Sequence, residues 1–289
     1  MRAEQVTDPL AEHGEGPCWW PTGELKYVDM SAGDVLTLTV DGTVHRVHCG
    51  TVAAALRPRV GGGAVIALER RFALARDDDL SGLTLLPEVW DDVGVRFNDG
   101  GCDPQGRFYC GTMAYAKTPG AAAMFRLSPG ADGGCATERL WGGVTISNGF
   151  MFSPDGSLAY YNDSATRRTD VFDYDPQRGL TRRRAFARFE GDDDAVVPDG
   201  LCVDSEGAVW VAAWGGSEVR RYLANGRLDG VVEVGASRVS ACTFGGPGLD
   251  ILYITTSKEG VAAGAEPAAG ALFAARPGVV GQPAMPFAG

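Results

Sequence analysis

The sequence has no apolar run near the roughly 18 residues that a membrane-crossing helix needs. Its first residues, Met1-Arg-Ala-Glu-Gln-Val-Thr-Asp-Pro-Leu10, lack the apolar core of a secretion signal. A cytoplasmic location and no membrane partner are therefore expected. Positive charge is scarce: 26 Lys and Arg stand against 37 Asp and Glu, a formal net charge of −11. Such a surface disfavours nucleic acid and anionic membranes. Histidine is scarcer still, with residues at 13, 45 and 48 only, and the seven cysteines contain no Cys-x-x-Cys pair. That argues against a zinc site built of cysteine and histidine. The cysteines are odd in number and scattered, and Cys18, Cys102 and Cys202 have apolar neighbours, so buried free thiols in a reducing compartment are expected. Gly61-Gly-Gly63 lacks the Lys-Ser/Thr of a phosphate loop and reads as a turn. No serine sits in a nucleophile elbow, and no stretch reads as a helix longer than a turn or two.

Glycine and turn residues are plentiful. The 41 glycines and 16 prolines are spread along the chain rather than pooled in a linker, as many tight turns between short strands require. Eight residues before the glycine of four such turns (Gly23, Gly106, Gly156, Gly207) stand Glu15, Asn98, Asn148 and Asp199. An aromatic strand follows each turn: Tyr27, Phe108-Tyr109, Tyr160-Tyr161, Trp210. Asn98, Asn148 and Asp199 are 50 and 51 residues apart, and six units of about 48 residues would fill the chain. Within each unit an apolar strand follows the polar residue, then a turn, then strands such as Leu158–Tyr161, Arg168–Tyr174 and Glu218–Tyr222, which alternate with period 2. Two weaker units place Ala54 and a residue near Ser240 or Ala241 at the equivalent position. The expected fold is all-β: one domain over residues 1–289, a six-bladed β-propeller of four-stranded antiparallel blades. Residues 115–123 and 259–269 read as loops over one face.

If the units surround a common axis, the four polar side chains converge. Two carboxylates and two amide oxygens in one place suit a hard metal ion, with calcium, magnesium or manganese ahead of zinc and calcium first. Glu15 and Asp199 bring charge and Asn148 a neutral oxygen, which leaves coordination positions open. Taken singly, Asn-Gly and Asp-Gly are turn dipeptides. Four at one register, with Glu15-Gly16 among them, favour the metal reading, because glutamate does not form turns. Arg96 lies two residues before Asn98 and so shares its strand face. There it either binds a polyhydroxylated or carboxylated ligand or pairs with a neighbouring carboxylate. Trp214 reads as either channel mouth or core. Asp77-Asp-Asp79 reads as a surface turn, and Asp192-Asp-Asp194 as a solvated loop close enough to Asp199 to affect its electrostatics.

Gly14-Glu-Gly-Pro17, Arg96-Phe-Asn-Asp-Gly100 with Asp103-Pro-Gln-Gly-Arg107 and Gly111-Thr-Met113, Ser147-Asn-Gly149 with Ser153-Pro-Asp-Gly156, Asp163-Ser-x-Thr-Arg167, Phe172-Asp-Tyr174 and Pro198-Asp-Gly200 occur in this order over most of the chain. Together they resemble the SMP-30/gluconolactonase/LRE-like family, which includes regucalcin and sugar-acid lactonases. The resemblance implies a six-bladed propeller with one divalent ion at the channel mouth. It implies Glu15, Asn148 and Asp199 as metal ligands, Asp199 also as acid/base, and Arg96 and Asn98 as substrate-binding residues. One departure stands out: many relatives carry an acidic residue shortly after the Gly-Thr-Met segment, where Tyr115 and Ala116 follow here.

The expected activity is divalent-metal-dependent hydrolysis of a sugar lactone, aldonolactone to aldonic acid. The cation would be Ca2+ first, with Zn2+, Mn2+, Mg2+ or Fe2+ as alternatives. A non-sugar lactone or phosphoester hydrolase on the same propeller is a second reading, and a non-catalytic calcium-binding propeller a third. The expected partner is a small-molecule lactone. A closed ring has few exposed sheet edges, so a monomer or weak homodimer is expected.

Overall fold

The alternating strands and regularly spaced turns build six four-stranded antiparallel sheets around a central axis. The computed structural model describes residues 1–130, 133–189 and 195–289; the Asp192–Asp194 run lies outside the described residues. The blades span residues 14–48, 53–88, 95–144, 147–188, 197–233 and 239–275. The last has only three strands of its own and takes its outermost from the N-terminus, where Glu4 and Gln5 pair with Ala274 and Phe273. Each blade packs on the next, and the sixth on the first, so the fold is a six-bladed β-propeller. Among the described residues the only helical elements are the 3-10 turns Met30–Ala32 and Ser164–Thr166. No helix is long and apolar enough to cross a membrane.

The repeated turn fixes the register of each blade. Gly106, Gly156 and Gly207 have φ of 73°, 67° and 83°, a left-handed conformation that glycine adopts without a Cβ clash. Their amides donate to the carbonyls of Asp103, Ser153 and Asp204 at 2.9, 2.9 and 3.0 Å. The Asp103 carboxylate accepts from the amides of Gln105 and Arg107, and Asp204 from those of Glu206 and Ala208. An aspartate that bonds its own turn in this way locks the hairpin. The aromatic residues after the turn then fill the space between blades. Tyr109 stacks on Phe150 of the next blade at 5.0 Å, Phe108 meets Phe72 of the preceding blade edge-on at 5.8 Å, and Trp210 meets Phe244 edge-on at 5.6 Å. Six of the seven cysteines are buried and all are free thiols.

Every inner strand carries one residue more than its neighbour at the same height. The register slips between Glu15 and Cys18, Ala53 and Ala55, Phe97 and Gly100, Asn148 and Phe150, Pro198 and Leu201, and Val239 and Ala241. These are β-bulges, which bend a strand and re-aim a side chain. The polar residues singled out in the sequence sit in or beside them. Asn148-Gly149 and Asp199-Gly200 are thus strand segments and not turns. Their glycines answer a packing demand. A Cβ on Gly149 would lie 2.8 Å from the Leu201 amide nitrogen, and one on Gly200 would lie 2.4 Å from the Ala241 Cβ and 2.8 Å from its Cα.

Gly200→Ala is therefore expected to force blades 5 and 6 apart at the bulge and to cost about 1–3 kcal/mol. The urea midpoint of unfolding checks this; a midpoint at the wild-type value would contradict the close-approach account.

Candidate functional site

At one mouth of the channel the bulges surround a cavity of about 220 Å3. Blade 1 contributes His13 and Glu15, blade 3 Arg96, Asn98 and Lys117, blade 4 Asn148 and Ser164, blade 5 Asp199 and Trp214, and blade 6 Glu259. The five residues expected from the sequence, Glu15, Arg96, Asn98, Asn148 and Asp199, all line it and all are buried. Ala54 and Ser240 hold the two remaining bulges.

A chain of hydrogen bonds sets the side-chain orientations. Arg96 donates to Asn98 Oδ1 at 2.6 Å and to the Phe97 carbonyl at 3.0 Å, and Met30 Sδ lies 2.9 Å from the same guanidinium nitrogen. No carboxylate pairs with Arg96 among the described residues. Asn98 Nδ2 donates to the Ser147 carbonyl at 2.7 Å and to Asn148 Oδ1 at 2.8 Å. Both its amide hydrogens are thereby used, and what it retains for a ligand is one lone pair on Oδ1. Asn148 Nδ2 donates to Ser164 Oγ at 2.8 Å, and Ser164 passes the chain on to the Pro198 carbonyl at 2.7 Å. Asn162 donates to the Asp199 carbonyl at 2.6 Å. The network thus runs from blade 3 through blade 4 to the residue before Asp199. On the far side, Ser240 donates to the Gly14 carbonyl, beside Glu15, at 2.5 Å.

The two carboxylates are held against their electrostatic preference. Among the described residues, Glu15 Oε2 accepts only its neighbour's amide, from Gly16 at 2.9 Å. Burial, reinforced by the charge of Asp99, pushes its carboxyl up to about 8. Burial also pushes Asp199 well above the usual carboxylate range, and the charge of Glu15 adds to the shift. Asp199 Oδ1 is buried with no hydrogen-bond partner among the described residues. An orphaned buried oxygen, a second buried acid and an amide oxygen fixed by its own neighbours form a donor set for a hard divalent cation, which would let both acids ionise. Among the described residues no three His, Cys, Asp or Glu side chains form a metal-binding group, so the set is two carboxylates and an amide.

Several lining residues were not singled out in the sequence. His13 shares a strand face with Glu15, by the same alternation that pairs Arg96 with Asn98. Its Nδ1 lies 2.7 Å from Ser257 Oγ, and burial drives its pKa down to about 4. Ser164 belongs to the Asp163-Ser-x-Thr-Arg167 segment. Lys117 and Glu259 sit in loops without periodicity and leave no signal in the repeat. Asp99 follows Asn98 and so points to the other side of its strand, into the narrow channel where it meets Arg57. Trp214 is part of the wall, its ring 5.7 Å from that of His13. Tyr115 lies over Arg96, its ring 5.7 Å from the guanidinium, and donates to Glu69. Of the Asp77–Asp79 turn, Asp78 anchors Trp20 Nε1 at 2.7 Å and the Gly63 amide at 3.0 Å.

The sequence model described as the SMP-30/Gluconolactonase/LRE-like region matches residues 13–258. Regucalcin of Danio rerio is 35% identical over 282 residues, which cover 94% of this chain and 93% of the relative. Among solved structures, a calcium-binding protein, regucalcin, from Agrobacterium tumefaciens is similar at a TM-score of 0.89 and 26% identity, covering 99% of this chain and 96% of its own. A luciferin-regenerating enzyme is similar at a TM-score of 0.87 and 26% identity, covering 99% of both chains.

The raised Glu15 carboxyl has a consequence for stability without cation. The folded protein favours its neutral form, so its contribution is fully present below an unfolded pKa of about 4.5 and is lost as pH rises through about 8. Urea midpoints in excess chelator are expected to fall between about pH 5 and about pH 8, and Glu15→Gln to flatten that fall. An identical slope in the variant would contradict the assignment.

Proposed function

This chain belongs to the SMP-30/gluconolactonase/LRE-like family, and from that premise we propose that it is a metal-dependent lactonase that opens an aldonolactone-type ring to its hydroxy acid. One observation carries the reading. Glu15, Asn148 and Asp199, from three separate blades, line a single buried cavity, and an oxygen of Asp199 there lacks any partner among the described residues. These three residues would hold the cation, with calcium the first choice because an all-oxygen, irregular donor set suits it. When bound, a divalent cation supplies Lewis acidity toward the lactone carbonyl.

The chain's own residues do the rest. The Asp199 oxygen that does not face the cation takes a proton from the attacking water as the new C–O bond forms at the carbonyl carbon. The ester C–O bond then breaks, and the same carboxyl returns the proton to the departing ring oxygen, so one water adds across one bond. The guanidinium of Arg96, held by Asn98 and Phe97, orients ring hydroxyls or a carboxylate, and the remaining lone pair of Asn98 Oδ1 accepts from a hydroxyl. Trp214, Met113, Ile146 and Val197 contribute to the apolar part of the wall. Seven free thiols suit a reducing, cytosolic compartment.

A second reading is a propeller that binds calcium without turnover; the Agrobacterium tumefaciens structure is described as a calcium-binding protein. Metal analysis of protein purified without added ions, followed by reconstitution with Ca2+, Mg2+, Mn2+, Zn2+ or Fe2+ on a panel of lactones and aryl esters, separates the two. Hydrolysis lost on chelation and restored by one ion, with the thermal transition still present, supports catalysis. Absence of hydrolysis with every ion supports the binding reading.

Asp199→Asn keeps the side-chain shape and removes the proton acceptor. It is expected to lower kcat by about 10²–10⁴-fold with the fold intact by circular dichroism. Near-normal turnover in this variant would remove Asp199 from the chemistry.

A further inference from the structure

Two loops meet over the cavity mouth. One leaves the second strand of blade 3, Phe108–Ala114, and carries Lys117; the other leaves the second strand of blade 6, Ile251–Thr256, and carries Glu259. Blades 3 and 6 are opposite in a ring of six. The Lys117 Nζ–Glu259 Oε1 pair, at 3.1 Å, therefore straps the mouth across its diameter, and both residues line the cavity. The strap is anchored at both ends. The Lys117 amide donates to the Ala114 carbonyl at 2.8 Å, closing a turn in which Lys117 itself adopts φ of 52°, a left-handed conformation unusual for a side-chain-bearing residue. The Glu259 amide donates to Ser257 Oγ at 2.9 Å, and Glu259 Oε2 lies 3.5 Å from His13 Nδ1.

A ligand that enters between these loops must part the pair. Both side chains are about half exposed, 54% and 47%, so the pair is weakly held and opens readily. The two partners then fare differently. Glu259 can turn to His13 or to ligand hydroxyls, whereas Lys117 has no other hydrogen-bond acceptor among the described residues. Charge points the same way. Among the described residues, the cavity's three carboxylates, Glu15, Asp199 and Glu259, face two cations, Arg96 and Lys117. With a divalent cation bound and both buried acids ionised, these groups carry a surplus of positive charge, which favours an anionic group on the ligand.

We propose that Lys117 is a specificity-determining residue that recognises a carboxylate on the substrate remote from the lactone carbonyl, and that this carboxylate displaces Glu259 to open the strap. The substrate class is thus a lactone of a sugar diacid rather than of a neutral aldose. The proposal rests on the lactonase reading, and its test separates from it because the readout is equilibrium binding of the open-chain acids. Calorimetry with wild type, Lys117→Ala, Lys117→Gln and Glu259→Gln, in calcium and in chelator, would use gluconate (one carboxylate), glucarate (two) and 6-phosphogluconate (a dianionic tail).

Wild type in calcium is expected to bind glucarate about tenfold more tightly than gluconate, and both Lys117 variants to lose that ratio. Glu259→Gln, which frees Lys117, is expected to keep or widen it. Equal affinities in wild type, no detectable binding of either acid, or a ratio that survives in the Lys117 variants would overturn the proposal, and 6-phosphogluconate binding more tightly than glucarate would overturn the choice of carboxylate. If the ratio behaves as expected but neither corresponding lactone is hydrolysed, the lactonase reading fails and the role of Lys117 stands.

Discussion

One extra residue in each inner strand governs everything at the channel mouth. A regular strand would send Glu15, Asn148 and Asp199 along the pleat into interblade packing. The bulge bends each strand at the same height and turns these side chains into a common cavity. The bulges can sit side by side because Gly149 and Gly200 leave no Cβ where the next blade's backbone passes. The same dipeptides that look like turns in the sequence are thus the places where neighbouring blades touch. Packing of the ring and geometry of the site are one constraint.

The site concentrates cost in a small volume. Burial raises the affinity of both acids for protons, the charge of Glu15 adds to that of Asp199, and a third acid, Asp99, acts on both from the channel beneath. The surroundings give these acids few hydrogen bonds and spend the available ones on the amides instead. Arg96, Asn98, Asn148 and Ser164 bond in series across three blades. Positions are therefore fixed while carboxylate oxygens stay unsatisfied, the arrangement expected where a cation supplies the missing partner.

Much of this was legible in the sequence because the repeat carries it. The distance of eight residues from turn glycine to polar residue survives in four blades, and strands such as Ala64–Leu68, a continuous apolar run, and Glu218–Tyr222 follow from local sequence pattern. Other parts have no periodic signature. The closing strand Glu4–Gln5 is two exposed residues whose pairing with Phe273–Ala275 depends on the whole ring having formed. Outer strands such as Thr84–Glu88 are largely exposed and lack an apolar stripe. Lys117 and Glu259 lie 142 residues apart in loops of opposite blades, so only closure of the ring brings them together. His13 was within reach of the alternation argument, two residues before Glu15.

Anomalous X-ray diffraction from crystals grown in manganese or calcium tests the central claim most directly. The account predicts one strong peak at the channel mouth within about 2.0–2.6 Å of oxygens from Glu15, Asn148 and Asp199 together. A peak elsewhere, or none at that mouth with the three side chains as they are described, would contradict it.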